Sequence, residues 1–322
     1  MVLDKDKKEP AAQSGEEQEH DWVENVEGNR AGTLFFHRII EQFGIRPAYV
    51  LLFFAAWYYV FFDRNSVAAL RQFRERCGMK TRRRDLYRHF RSFGIALIDR
   101  FVLTRGGSGA KRFVFTYSNE ATIAEEVKRG GGVILLGAHM GNWEIAGALL
   151  GKRLATPVHV FMYDQGNTGI DISGRSENGV IIHPVQTGGA AIAVEIINAL
   201  RGGEIVCLHG DRYYEGQRTI AFDFLGALAH FPAGPMAMAA ITGASVLPCF
   251  TMRTSLFHYE FSAAMPIRPE SADRSTRDET IRTATERYVR ILEETCGRYP
   301  DQWYNFYRFW SDSDCFSPEN GL

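Results

Sequence analysis

The stretch Val133-Ile134-Leu135-Leu136-Gly137-Ala138-His139-Met140-Gly141-Asn142-Trp143-Glu144 decides the reading of this chain. Four consecutive apolar residues, Val133 to Leu136, read as a short strand buried on both faces. Asn142 is a favourable N-cap, so a helix is expected from Trp143 to about Leu150. His139 then falls in the strand-to-helix turn. Five residues along a straight helix rotate a side chain by about 140°, too far for two groups to meet. With His139 in the turn and Glu144 in the first helical turn, the histidine gains an orienting carboxylate and becomes a candidate general base.

Outward from this unit, apolar strands alternate with helical stretches. Strands are expected at Phe113 to Thr116, Val158 to Met162, Val180 to Pro184, Glu204 to Leu208, Thr219 to Phe224, Ser245 to Thr251 and Tyr259 to Ala264. Helices are expected at Ala121 to Arg129, Ala190 to Leu200, Pro235 to Ile241 and Arg277 to Cys296. This pattern predicts an α/β fold with a mixed, mostly parallel central sheet flanked by helices, Thr219 to Phe224 being the strand expected to fold back. Ligands of such sheets bind beyond the carboxyl ends of the strands, where both His139 and Asp211 fall.

Three regions are expected: a flexible polar leader at 1–30, a helical membrane-associated region at 31–110 and the α/β domain at 111–322. The leader carries Glu16, Glu17, Glu19, Asp21, Glu24 and Glu27 and lacks the apolar core of a signal peptide. Ala48 to Phe62 is uninterrupted apolar and aromatic sequence, shorter than the ~20 residues that cross a bilayer. Tyr49, Trp57, Tyr58 and Tyr59 suit an interface, and a basic run follows, from Arg71 through Arg82, Arg83 and Arg84 to Arg91. Insertion in the membrane plane or as a re-entrant segment is the expectation; a buried core helix followed by a solvated basic helix is the plain alternative.

His139, Asn142, Trp143 and Glu144 after an apolar strand resemble the lipid A lauroyl and myristoyl acyltransferases, within the wider glycerolipid acyltransferase superfamily marked by His, four residues, then Asp or Glu. Similar elements follow at Glu204 to Arg212, Phe222 to Gly226 and Phe231 to Pro235. The later turn departs from that family's Asp-x-Asp, reading Asp211-Arg212-Tyr213, which leaves the acceptor open. The resemblance implies an acyl carrier protein or coenzyme A thioester as donor, a membrane lipid hydroxyl as acceptor, lipid A or another bacterial lipid, and the cytoplasmic face of an inner membrane.

Transfer of an acyl group to an alcohol needs a base for the hydroxyl proton, and histidine titrates in the right range. His139 is assigned that role and Glu144 the role of holding its ring. Asn142, or donors at the start of its helix, are candidates for the oxyanion. Arg175, Asp211 and Arg212 are candidates for holding donor or acceptor, guanidinium being suited to phosphate and carboxylate. The C-terminal run Trp303 to Trp310 reads as core, with an acyl-channel lining as the alternative.

A net charge of −1 argues against a nucleic-acid partner. The five cysteines form no C-x-x-C pair, and His139 and Glu144 do not make H-E-x-x-H, so neither a metal nor any other cofactor is implied. Gly106 to Ala110 lacks the last glycine of a nucleophile elbow. The competing reading from another class is a non-catalytic lipid-binding protein of the membrane surface.

Overall fold

The computed structural model describes residues 32, 34–143, 145, 156–163, 179–185, 190–213, 216–270, 273 and 275–310. The leader 1–30, Glu144, Arg175 and the greater part of the helix expected to end near Leu150 lie outside the described residues.

Helices come first among the described residues: 34–43, then α1 (Ile45–Phe62), α2 (Arg64–Arg76) and α3 (Arg83–Arg105). Strands and helices then alternate: β1 (Val114–Ser118), α4 (Glu120–Lys128), β2 (Val133–Gly137), β3 (Val158–Tyr163), β4 (Val180–Val185), α5 (Ala190–Arg201), β5 (Ile205–His209), β6 (Thr219–Phe224), β7 (Ala227–Pro232), α6 (Gly234–Thr242), β8 (Ser245–Ser255), β9 (His258–Ala263) and α7 (Arg277–Arg298). Seven strands form one sheet in the order β1-β9-β8-β2-β5-β3-β4. All neighbours are parallel except β8 and β9.

The unbroken apolar run of β2 follows from burial on both sides. Ile134 and Leu136 enter one cluster with Val206 and Val246, while Val133 and Leu135 enter the other with Ile205 and Leu247. Successive residues of a strand point to opposite faces, so a strand covered twice must be apolar throughout. Residues of α5, α6 and α7, such as Leu200, Met236 and Tyr288, cover the first face; Ile123 of α4 lies on the second.

One topological expectation is corrected. Thr219 to Phe224 does not fold back within the main sheet but pairs antiparallel with β7 in a separate two-stranded ribbon. Its turn, Leu225-Gly226, has positive φ at both residues, 53° and 74°. That backbone matches the twist of a two-residue hairpin. The antiparallel step in the sheet is β8 to β9.

Helix α1 is three residues longer than the apolar run suggested, and its 18 residues extend about 27 Å. Its length and composition would suffice to cross a membrane. Ile45, Ala48, Leu52, Ala56 and Val60 form the buried stripe, at helical spacing. Gly94 of α3 faces Leu52 so closely that any Cβ there would strike the leucine side chain. Asp99 of α3, fully buried, accepts hydrogen bonds from Tyr49 of α1 and from Tyr259 of β9, the latter at 2.6 Å. One carboxylate therefore ties the N-terminal helices to the sheet.

Candidate active site

Strand register builds the site. In the parallel pairing of β2 with β5, Gly137 stands opposite His209. Two residues further along each chain brings His139 opposite Asp211, on neighbouring strands about 4.8 Å apart. The ladder continues past the strand ends, since the Gly210 N–H donates to the Gly137 carbonyl at 3.0 Å. Gly210 is required there because a Cβ would lie 2.8 Å from the Tyr288 ring. The Tyr288 hydroxyl donates to the same Gly137 carbonyl at 2.7 Å.

His139 Nδ1 lies 2.9 Å from Asp211 Oδ1, and the His139 backbone N–H donates to Oδ2 at 2.9 Å. Trp303 Nε1–H donates to Oδ2 as well, at 3.1 Å. Burial by itself would raise the Asp211 pKa, but the His139 charge and hydrogen bond, with the Arg212 guanidinium, outweigh it and hold the carboxyl well below the usual range. An ionised Asp211 fixes the tautomer with the proton on Nδ1, which leaves the Nε2 lone pair for a substrate proton. Burial, then the Arg212 charge, lower the His139 pKa against the opposing pull of Asp211. The imidazole is therefore neutral near pH 7, as a base must be.

The turn around His139 is held on every side. Tyr304 N–H donates to the His139 carbonyl, Gly141 N–H to the Gln302 carbonyl and Asn142 N–H to the Thr251 carbonyl, each at 2.8 Å. Gly141 has φ +62° and sits against Thr251, where a side chain would clash with the backbone. Asn142 is buried and turns its amide onto the Ala96 carbonyl at 3.0 Å, anchoring the turn to α3. Trp143, the first helical residue after the turn, packs edge-on to His139 with centroids 5.3 Å apart.

The residues singled out from sequence have different fates. His139, Asp211 and Arg212 come together. Arg212 donates to the Tyr304 carbonyl at 2.7 Å and lies over the Tyr307 ring, its guanidinium bound to the C-terminal segment. Asn142 lies beside them with its amide already engaged. Glu144 and Arg175 lie outside the described residues, and among those described the carboxylate at Nδ1 is Asp211. Local sequence gave no sign of three further residues. Trp303 bonds the carboxylate, Tyr304 bonds the histidine turn, and His209 sets its ring 4.4 Å from that of His139. The aromatic run at 303–310, expected as core or channel lining, forms one wall of the site while also packing inward. Trp303 is fully buried against Phe73, Phe224 and Phe309.

A histidine locked by a buried carboxylate at the carboxyl edge of a parallel sheet is suited to take a proton from a substrate hydroxyl. Residues 33–312 match the family described as bacterial lipid A biosynthesis acyltransferases, and the chain belongs to that family. Acyl transfer is the reaction class that membership carries. A segment of 123 residues is 32% identical to the phosphatidylinositol mannoside acyltransferase of Mycobacterium tuberculosis H37Rv, covering 37% of this chain and 38% of that protein. The protein of the same name from strain CDC 1551 gives the same identity and coverage. The chain thus spans well under half the length of the curated relatives that it matches.

Proposed function

We propose that this protein is a membrane-associated acyltransferase that moves a fatty acyl chain from an acyl carrier protein or coenzyme A thioester to a hydroxyl of a sugar-bearing lipid. The observation that carries the proposal is the His139 ring, held at Nδ1 by Asp211 with Nε2 left for substrate. The hydroxyl proton passes to Nε2 as the oxygen attacks the thioester carbonyl. The tetrahedral intermediate then collapses, the C–S bond breaks and the thiolate takes that proton. Asp211 stabilises the transient imidazolium, as an aspartate does in a hydrolase triad. The family description names lipid A and the relatives' names specify phosphatidylinositol mannoside, both lipids with sugar hydroxyls.

The outer face of α1 supports membrane association. Val50, Phe54, Tyr58, Phe61 and Phe62 are exposed there, opposite the buried stripe. Arg82, Arg83 and Arg84 are exposed at the start of α3, Arg83 lying over the Phe61 ring at 5.3 Å. An aromatic face rimmed by arginines suits the cytoplasmic leaflet of an inner membrane, and the same arginines suit an acidic carrier protein. Trp143, beside His139, packs in the cluster containing Ala56 and Val60 of α1, so the membrane-facing helix adjoins the reaction centre. Residues 34–110 on this reading deliver the lipid and 111–310 perform the chemistry.

The test is incubation of the purified protein with labelled acyl carrier protein thioester, or labelled acyl-coenzyme A, and host lipid extract. A labelled lipid formed by the wild type and lost in folded His139→Ala supports the proposal. Transfer that persists in His139→Ala refutes the mechanism, and none with any donor favours a non-catalytic lipid-surface protein.

A further inference from the structure

Acyl transfer places negative charge on the thioester carbonyl oxygen, and a donor must meet it. The N–H groups of the turn from His139 to Asn142 are already engaged. The N–H groups of His139, Met140, Gly141 and Asn142 bond to Asp211 and to the carbonyls of Ala138, Gln302 and Thr251 respectively. The Asn142 amide is committed to Ala96.

His209 is differently placed. It ends β5, beside His139, with the two ring centroids 4.4 Å apart and the rings tilted by 58°. Trp143 meets it edge to face at 5.6 Å, which fixes the plane of the ring. Opposite it stands Gly137, where a Cβ would make ordinary van der Waals contact with His209 Cδ2 at 3.5 Å. The ring is partly exposed, and neither of its nitrogens has a hydrogen-bond partner among the described residues. Burial, and then the neighbouring His139, push its pKa down to about 3, so it carries one N–H and no charge. A neutral imidazole is a competent electrophile, donating to a developing oxyanion without losing its proton.

We propose that His209 is a second catalytic residue, a neutral hydrogen-bond donor to the thioester carbonyl oxygen. As the substrate oxygen bonds to the carbonyl carbon and loses its proton to His139 Nε2, the carbonyl π electrons move onto oxygen and the His209 N–H holds the oxyanion. When the carbonyl re-forms, the C–S bond breaks and the thiolate recovers the proton from His139. His209 gains and loses nothing. The proposal rests on the reading of His139 as base.

The decisive pair is His209→Phe, which keeps a ring against His139 and Trp143 but removes the donor, and His209→Gln, which restores an N–H. The expected result for His209→Phe is a kcat loss of roughly 10²–10³-fold with KM within about threefold of wild type. The melting temperature and the acidic limb of the pH–rate profile should hold, and His209→Gln should recover part of kcat. Full kcat in His209→Phe overturns the proposal, as does a change confined to KM or to the position of the acidic limb. If His209→Phe does not fold, His209→Gly with added imidazole decides: recovery of kcat supports the donor role and its absence overturns it. His139→Ala, assayed alongside, separates the two readings, because activity retained there refutes the base itself. Loss in His139→Ala with full activity in His209→Phe refutes only the role of His209.

Discussion

Asp211 holds His139 twice, once through Nδ1 of the ring and once through the backbone N–H, both at 2.9 Å. Replacing it with asparagine removes the charge that stabilises the imidazolium and permits the wrong tautomer. Asp211→Asn should lower kcat by roughly 10²–10⁴-fold. Because Asp211 raises the His139 pKa, its loss should also move the acidic limb of kcat/KM to lower pH. A pH–rate profile with an unmoved limb would count against the pairing.

In the wild type, burial and Arg212 set the His139 pKa below its ordinary value. Activity should therefore climb with pH along a limb that lies below the ordinary histidine value. If Asp211 alone orients the ring, Glu144→Gln leaves that limb in place whatever it does to kcat. The same profile, recorded on both carboxylate variants, assigns the orienting role.

His89 gives a pH dependence of stability. It is fully buried, its Nε2 is 2.9 Å from the Trp303 carbonyl, and burial pushes its pKa down to about 4. A depressed histidine favours folding while neutral, so this stability is present above the unfolded pKa near 6.5 and is lost as pH falls towards 4. The full loss is roughly 3 kcal/mol. His209, also depressed, acts in the same sense. Asp99, raised to about 6 by burial against its tyrosine hydrogen bonds, acts oppositely as it protonates. Urea midpoints at pH 7.5 and 5 should differ less in His89→Phe than in the wild type.

Gly141→Ala should be among the most damaging single-methyl changes. The added Cβ meets the Thr251 carbonyl at a positive φ, so the turn carrying His139 must shift. The backbone strain costs about 1–3 kcal/mol before the clash is counted. Activity should fall at least about 10²-fold, since displacement of a positioned group by 1 Å has that effect. Circular dichroism and turnover, measured together, would test whether the turn tolerates the methyl.

On the membrane reading, Phe54→Glu should release the protein from vesicles, while reversal of Arg82, Arg83 and Arg84 should weaken binding to anionic vesicles only. Three such charges near a surface correspond to about 3 kcal/mol, or roughly 10²-fold in partition. Flotation assays at low and high salt distinguish the two variants. Equal recovery of all forms would point to a helix covered by something other than lipid.

The strand-end positions of His139 and Asp211, and most strands, were legible because local signals coincide there: apolar runs of strand length and polar turns at the carboxyl ends of strands. The pairing of His139 with Asp211 was not legible, since it depends on the register between β2 and β5, which no local pattern encodes. The motif spacing pointed to Glu144, which lies outside the described residues. His209 carries no local sign of a role, and the same register puts it beside His139. Trp303 was hidden for another reason: a large aromatic reads as core, and here it is core on one side and a hydrogen-bond donor on the other. The hairpin of β6 and β7 was missed because its turn uses Leu225 at positive φ, a residue type that does not advertise a turn.

The C-terminal segment supplies the Trp303 donor to Asp211, the Tyr304 contact to the His139 turn and the carbonyl that binds Arg212. During synthesis, α1 leaves the ribosome some 240 residues before these groups do. On the membrane reading, the apolar helix thus reaches its surroundings before the groups that hold the His139 turn have been made.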